Sequence, residues 1–354
     1  MTRDQLKGKV QTVLGLVEPD ALGRTLMHEH VLCDIRPPTT RGDNDLGPEI
    51  TLENVWQINY GRGLKRAGRK YMLDLEDIAT REIEMMKHDG GDAIVELTCG
   101  GLSPDPAGLK RIAEGTGVHV VMGCGHYVND YQDPKNHDRA VESFAEEMIG
   151  QILHGAWGTD VRAGMIGEIG CSAPWTATEK RVMQAALIAA AETGSSVNVH
   201  PGRDPDQPQE VADFIKAAGH PTSGNKFPLE RVVISHIDRT IFDEPRLLKL
   251  ADSGVTIEFD LFGQESSYYG LSDIDMPNDA TRLRLIRALI DKGHLDRVVI
   301  SHDICYRTRL ASFGGHGYGH IFRNVVPMMK KRGYSADEID GILVRNPRRL
   351  LTFA

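Results

Sequence analysis

The residues equipped for chemistry are histidines and carboxylates at the ends of apolar runs. His28-Glu29-His30 falls late in TLMHEHV, and Glu168 stands near the end of AGMIGEIG. His200, His236 and Asp303 fall in SVNVHPG, VVISHID and VVISHDI. These four imidazoles and two carboxylates are the donors that Zn²⁺ takes, and also suit Mn²⁺, Co²⁺ or Fe²⁺. Side chains alternate along a strand, so His28 and His30 share one face and Glu29 takes the other. A lone His-x-His is a weak signal, since a histidine at a strand end is usually only hydrogen-bonded. Six ligand-type residues, each late in an apolar run, form a far stronger one. They exceed one tetrahedral site and suit two divalent ions sharing a bridging carboxylate. The competing arrangement is a metal-free network of the same side chains, which is costly to bury without compensation.

Eight such runs must position these residues: Thr25–Val31, Asp92–Thr98, His119–Tyr127, Ala163–Gly170, Ser196–Gly202, Val232–Asp238, Thr256–Phe262 and Val298–Ile304. Several are nearly all apolar before a polar end, the pattern of parallel strands buried on both faces. Amphipathic stretches lie between them. EDIATREIEMMKHDGG stops at Gly90, and NDATRLRLIRALIDKGH is capped by Asn278 or Asp279. TATEKRVMQAALIAAAETG ends at Gly194, with Thr178 read as its N-cap and Arg181 where a capping box has Glu. Eight strand–helix units predict a closed (β/α)₈ TIM barrel, with ligands converging from the C-terminal strand ends. No Gly-x-Gly-x-x-Gly follows the first strand, which weakens an open dinucleotide-binding sheet. Residues 1–24 are expected to form a short hairpin closing the barrel bottom, and residues 34–75 a long first loop. No linker or low-complexity tract divides the chain, so residues 1–354 read as a single domain.

The net charge of −9 argues against nucleic acid or an anionic membrane as the main partner. Cys33, Cys99, Cys124, Cys171 and Cys305 are scattered and odd in number, which excludes a disulfide framework and fits a reducing compartment. There is no signal-peptide pattern and no membrane-length apolar run, so the expectation is a soluble, cytoplasmic protein.

Arg203, Arg239 and Arg307 each follow a ligand within four residues. Arginines beside a dication site point to a small anionic substrate held through carboxylate, sulfonate or phosphate. The alternative is local pairing with acids such as Asp204, Asp206, Asp238 or Asp243. Tyr127 is placed to hydrogen-bond a substrate carbonyl or to pack at the barrel top. SFGGHGYGHI (Ser312–Ile321) lacks the Lys and Ser/Thr of a phosphate loop and reads as a mobile lid, with His316 or Tyr318 facing the pocket or packing.

The stretches GKVQTVLGLVEPDALGRTLMHEH, GEIGCS, HPGR, SHIDRT, EFDLFG, DIDMP, HDI, RLASFGGHGYGHI and NPRRLL occur in order along nearly the whole chain. Together they resemble the phosphotriesterase family of the amidohydrolase superfamily. The resemblance implies a barrel of amidohydrolase type with two divalent metal ions, zinc in kind, and a homodimer. It places His28, His30 and Asp303 on the more buried metal, and His200 and His236 on the more exposed one. It makes Glu168 the bridge, where phosphotriesterases proper have a carboxylated lysine. Glutamate there is shared with a related branch of the family that hydrolyses N-acetyltaurine, which argues against organophosphates. The implied reaction is attack of a metal-bridging hydroxide on the amide of a small anionic N-acyl substrate, with Asp303 as general base and then acid. A lactonase or carboxylesterase is the alternative enzyme. A non-catalytic metal-containing binding protein is the alternative of another class, and the retained Asp303 argues against it.

Overall fold

The computed structural model describes residues 1–60, 68–221, 224–266, 269 and 271–354. Val10–Thr12 (β1) and Gly15–Val17 (β2) form an antiparallel hairpin. Thr25–Glu29 (β3) begins the barrel. Cys33–Asp34 (β4) pairs with Met72–Leu73 (β5), tying together the two ends of the long first loop. The barrel continues with Ala93–Glu96 (β6), His119–Cys124 (β7), Met165–Gly170 (β8), Val197–His200 (β9), Val232–Ile234 (β10), Thr256–Phe259 (β11) and Val298–Ile300 (β12). The eight strands β3 and β6 to β12 pair in parallel in chain order, with helices between them. Alternation sorts their side chains. Met27, Val95, Val121, Met165, Val233 and Val299 fill the interior, while Ile94 packs outward in the layer containing Ile83 and Ile112.

The hairpin closes the bottom. Val10 and Leu22 join the interior cluster, and the Val13 amide donates to the Val120 carbonyl at 2.9 Å. The C-terminus is pinned beside it, with the Phe353 amide on the Lys9 carbonyl at 3.0 Å.

The first and last barrel strands meet across a carboxylate. Glu29 accepts from the Ser301 hydroxyl at 2.7 Å, the His302 amide at 2.8 Å, His302 Nδ1 at 2.7 Å and the Ile304 amide at 2.9 Å. The Asp303 amide donates to the His28 carbonyl at 3.1 Å. Glu29 therefore takes the face opposite His28 and His30, and there it seals the barrel.

Three local expectations are corrected. The cap of the helix Ala177–Thr193 is Thr176, not Thr178; its hydroxyl accepts the Glu179 amide, and Glu179 returns to the Thr176 amide at 3.0 Å. The box therefore sits two residues earlier and has its glutamate. Several strands stop before the polar ends of their runs: β10 ends at Ile234, because His236 leaves the ladder in a left-handed conformation (φ 55°). The segment Ser312–Ile321 is packed and forms no lid. The Ala311 and Ser312 amides bond to buried Glu82 at 3.0 and 2.7 Å, the Tyr318 hydroxyl donates to the His30 carbonyl at 2.6 Å, and His316 stacks on His302. Among the described residues, no helix is long and apolar enough to cross a membrane.

Glu29→Ala would strand several donors in a dry seam. The expected cost is about 3–5 kcal/mol of unfolding free energy, read from urea titration. A change below about 1 kcal/mol would mean that backbone pairing alone closes the barrel.

Candidate metal centre and active site

The C-terminal strand ends bring all six sequence-predicted ligands together. His28, His30 and Asp303 form one group with ligand atoms close enough to share an ion, and Glu168, His200 and His236 form another. A third group of His28, His236 and Asp260 overlaps both. Glu168 lies between the two main groups. Its Oε1 faces His30 Nε2 at 3.5 Å, and its Oε2 faces His200 Nδ1 at 2.6 Å and His236 Nε2 at 3.3 Å. Asp303 Oδ1 lies 3.3 Å from His30 Nε2.

Hydrogen bonds on the outer side aim the rings inward. His236 Nδ1 faces Asp260 at 2.9 Å, and His30 Nδ1 faces the Thr98 hydroxyl at 2.9 Å, which donates to Glu96. His28 Nδ1 faces Glu258 and Asp260, each at 3.3 Å. These acceptors fix the proton on Nδ1 and turn the Nε2 lone pair into the site. His200 is reversed: Nδ1 points inward, while Nε2 meets Arg239 at 3.2 Å and the Tyr127 hydroxyl at 3.5 Å. Glu258 is itself held by Asn198 and Ser235, both at 2.8 Å.

Backbone conformation also serves the site. His236 and Asp303 are among four described non-glycine residues with positive φ, at 55° and 50°. Such positions cost of order 1–3 kcal/mol and persist where the surroundings dictate them. Gly167, at φ 131°, precedes Glu168, and a Cβ there would meet the Asn198 carbonyl at 2.6 Å. Only glycine brings the chain past β9 with Glu168 turned inward.

The donors fit a cation. His28 Nε2 is buried and has no hydrogen-bond partner, although it lies 3.6 Å from Glu168. His200 Nδ1, His236 Nε2 and Glu168 Oε2 crowd one space, with the two nitrogens 2.7 Å apart. A shared proton satisfies them poorly, whereas a metal ion would take all three lone pairs. The charges agree. Burial opposes a charge on His30, yet Asp303 and Glu168 outweigh it and push its pKa up to about 10. Burial likewise opposes charge on His28, and Glu168, Asp260 and Glu258 still hold it well above the usual range. Burial lowers His200 to about 3. Burial works against ionised Glu168 and Asp303, but the surrounding histidines keep both below the usual carboxylate range. The cluster thus gathers protons where positive charge is wanted.

Above the cluster opens a cavity of about 710 Å³, lined by Tyr127, His200, Arg203, Arg239, Asp303 and Arg309 among others. Burial first, and then Glu168, keep the Tyr127 phenol well above its usual range, so it remains a donor. Arg203 donates to the Tyr269 hydroxyl at 3.1 Å, and Arg239 to the Pro201 carbonyl at 3.1 Å. Arg307 departs from the sequence expectation. It pairs with Asp74, donates to the Met72 carbonyl at 3.0 Å, and is absent from the cavity wall. The 3₁₀ turn Arg307–Arg309 gives that wall to Arg309 instead. His316 and Tyr318 do not line the cavity. Sequence reasoning missed Glu258 and Asp260. Their signal was present, since they stand two apart, Glu258 in β11 and Asp260 just past its end, with the same spacing as His28 and His30.

The profile of the Phosphotriesterase family matches residues 8–351. The chain belongs to the phosphotriesterase family. It is 42% identical to the N-acetyltaurine hydrolase of Xenopus tropicalis, over 98% of this chain and 99% of that one. It is 43% identical to the N-acetyltaurine hydrolase of Mus musculus, with the same coverage. Among solved structures, it resembles a resiniferatoxin-binding protein from Rhodobacter sphaeroides with TM-score 0.88 and 31% identity, covering 99% of this chain and 98% of that one. Family membership and the converging ligand groups make this chain a metal-dependent hydrolase.

A metal ion that binds here must displace the protons these ligands would otherwise hold. With His30 held at about 10, zinc binding at pH 8 is expected to release at least about one proton per chain, and apparent affinity should rise with pH. Calorimetry in buffers of different ionisation enthalpy checks this; binding without proton release would contradict it.

Proposed function

We propose that the chain is a binuclear amidohydrolase that cleaves a small anionic N-acyl substrate, such as N-acetyltaurine or an N-acetyl amino acid. The observation that carries the reading is Glu168, whose two oxygens face two separate ligand groups beneath the cavity. His28, His30 and Asp303 would hold one ion, and His200 and His236 the other, with Glu168 between them; zinc suits this donor set. Two ions bound there supply Lewis acidity and a water of lowered pKa. The Asp303 carboxylate would take a proton from the water that attacks the acyl carbon. It then returns the proton to the amide nitrogen as the C–N bond breaks, leaving a carboxylic acid and an amine, which part as carboxylate and ammonium. Tyr127, beside His200 and kept protonated, donates to the acyl oxygen. Arg203 and Arg239 give the cavity a positive wall for the anionic end. The relatives named N-acetyltaurine hydrolase support the substrate class.

Metal-loaded protein should hydrolyse N-acetyltaurine or N-acetyl amino acids in preference to lactones and a phosphotriester, and should stop when chelator removes the metal. Equal N-acetyltaurine rates with and without chelator would overturn the assignment. Asp303→Asn should lower turnover about 10²- to 10⁴-fold with metal retained. A fall below about 10-fold with metal in place would remove Asp303 from the proton path.

A further inference from the structure

The cavity wall carries charge that the protein does not balance. Arg309 lies in the 3₁₀ turn after β12, half-buried and facing the cavity. Its Nη1 donates to the Asp303 carbonyl at 3.1 Å, and its guanidinium carbon lies 4.6 Å from the centre of the Tyr306 ring. Those two contacts fix the guanidinium beside the residue that carries the reacting carboxylate. No carboxylate of a described residue makes an ion pair with Arg309, whereas Arg307, two residues earlier, is paired with Asp74. A second cation stands on the same ring. Lys70 Nζ lies 4.9 Å from the Tyr306 centre and, among the described residues, donates only to the Ile58 carbonyl, at 3.2 Å. Burial, and then Arg309, hold its amine down to about 8. Arg203, also on the cavity wall, bonds to Tyr269 and to no acid among the described residues. The undescribed residues 61–67, 222–223, 267–268 and 270 contain no Asp or Glu that could supply the missing charge.

Cations kept partly out of water without a counter-charge are costly, and the cost is recovered when an anion arrives. We propose that Arg309 is the specificity-determining residue that anchors the anionic end of the substrate, with Lys70 raising the local positive potential behind Tyr306 and Arg203 closing on the anion. The ligand class is an N-acyl amine bearing a sulfonate or carboxylate within a few bonds of the nitrogen. This rests on the amidohydrolase reading for the bond cleaved, but the anion site stands on geometry alone.

The test uses the metal-loaded full chain and a ligand it cannot hydrolyse: the methyl ketone isostere of N-acetyltaurine, with methylene in place of the amide nitrogen. Its uncharged sulfonamide is the control. Calorimetry should show wild type preferring the sulfonate by about tenfold or more, as expected for charge-assisted hydrogen bonds. Arg309→Met should remove most of that preference while leaving sulfonamide affinity within about twofold, and Arg309→Lys should keep part of it. In turnover of N-acetyltaurine, Arg309→Met should raise KM far more than it lowers kcat. A wild type without the preference, or an Arg309→Met variant that keeps it, overturns the proposal. Equal loss for both ligands does so too, because Arg309 would then be structural. Failure of wild type to hydrolyse any N-acyl amide while still preferring the sulfonate would sink the amidase reading and leave the anion site standing.

Discussion

The structure turns on one electrostatic constraint: buried donor atoms from six side chains converge on a space too crowded for protons alone to satisfy them. His28 Nε2 has no partner, and His200, His236 and Glu168 compete for one space. Such an arrangement survives burial only if something outside the polypeptide completes it. The rest of the molecule bears the cost of holding it together. Asp260, Glu258 and the Thr98–Glu96 pair turn the histidines inward, and left-handed backbone at His236 and Asp303 delivers two ligands that a regular strand could not.

Much of this was legible in the sequence, for a physical reason. A parallel strand buried on both faces must be apolar along its length, so a polar residue at its end stands out. That contrast exposed His28, His30, Glu168, His200, His236 and Asp303, and the eight runs that carry them. It did not expose the partners that orient them. Glu258 and Asp260 stand out in their own run, but their role depends on rings brought by β3 and the turn after β10, which that run does not show.

Direction was the second thing hidden. Spacing from Asp303 nominates Arg307, but the turn Arg307–Arg309 sends that side chain to Asp74 of the first loop and turns Arg309 to the cavity. Likewise the glycine-rich segment after β12 looks mobile from its composition. Glu82, in a helix more than two hundred residues earlier, fixes its start, and the His30 carbonyl fixes its middle. Local composition measures what a backbone is free to do, whereas long-range hydrogen bonds decide what it does.

The two ligand groups differ in how they depend on the fold. Glu168 lies in β8, His200 ends β9 and His236 follows β10, neighbours in an unbroken ladder. His28, His30 and Asp303 come from β3 and the end of β12, the two strands that must meet to close the barrel. Their seam is held by Glu29 and by the bond from the Asp303 amide to the His28 carbonyl. Glu29 is also the residue between the two histidine ligands. One tripeptide therefore supplies two candidate ligands to the inside and the seal to the outside, so the pleat of a single strand couples barrel closure to the His28, His30 and Asp303 group. Tyr318 extends the coupling, since its hydroxyl reaches the His30 carbonyl from the outer layer. Anything that loosens the seam must disturb this group before the other, and with it the carboxylate of Asp303 to which the proposed mechanism gives the proton.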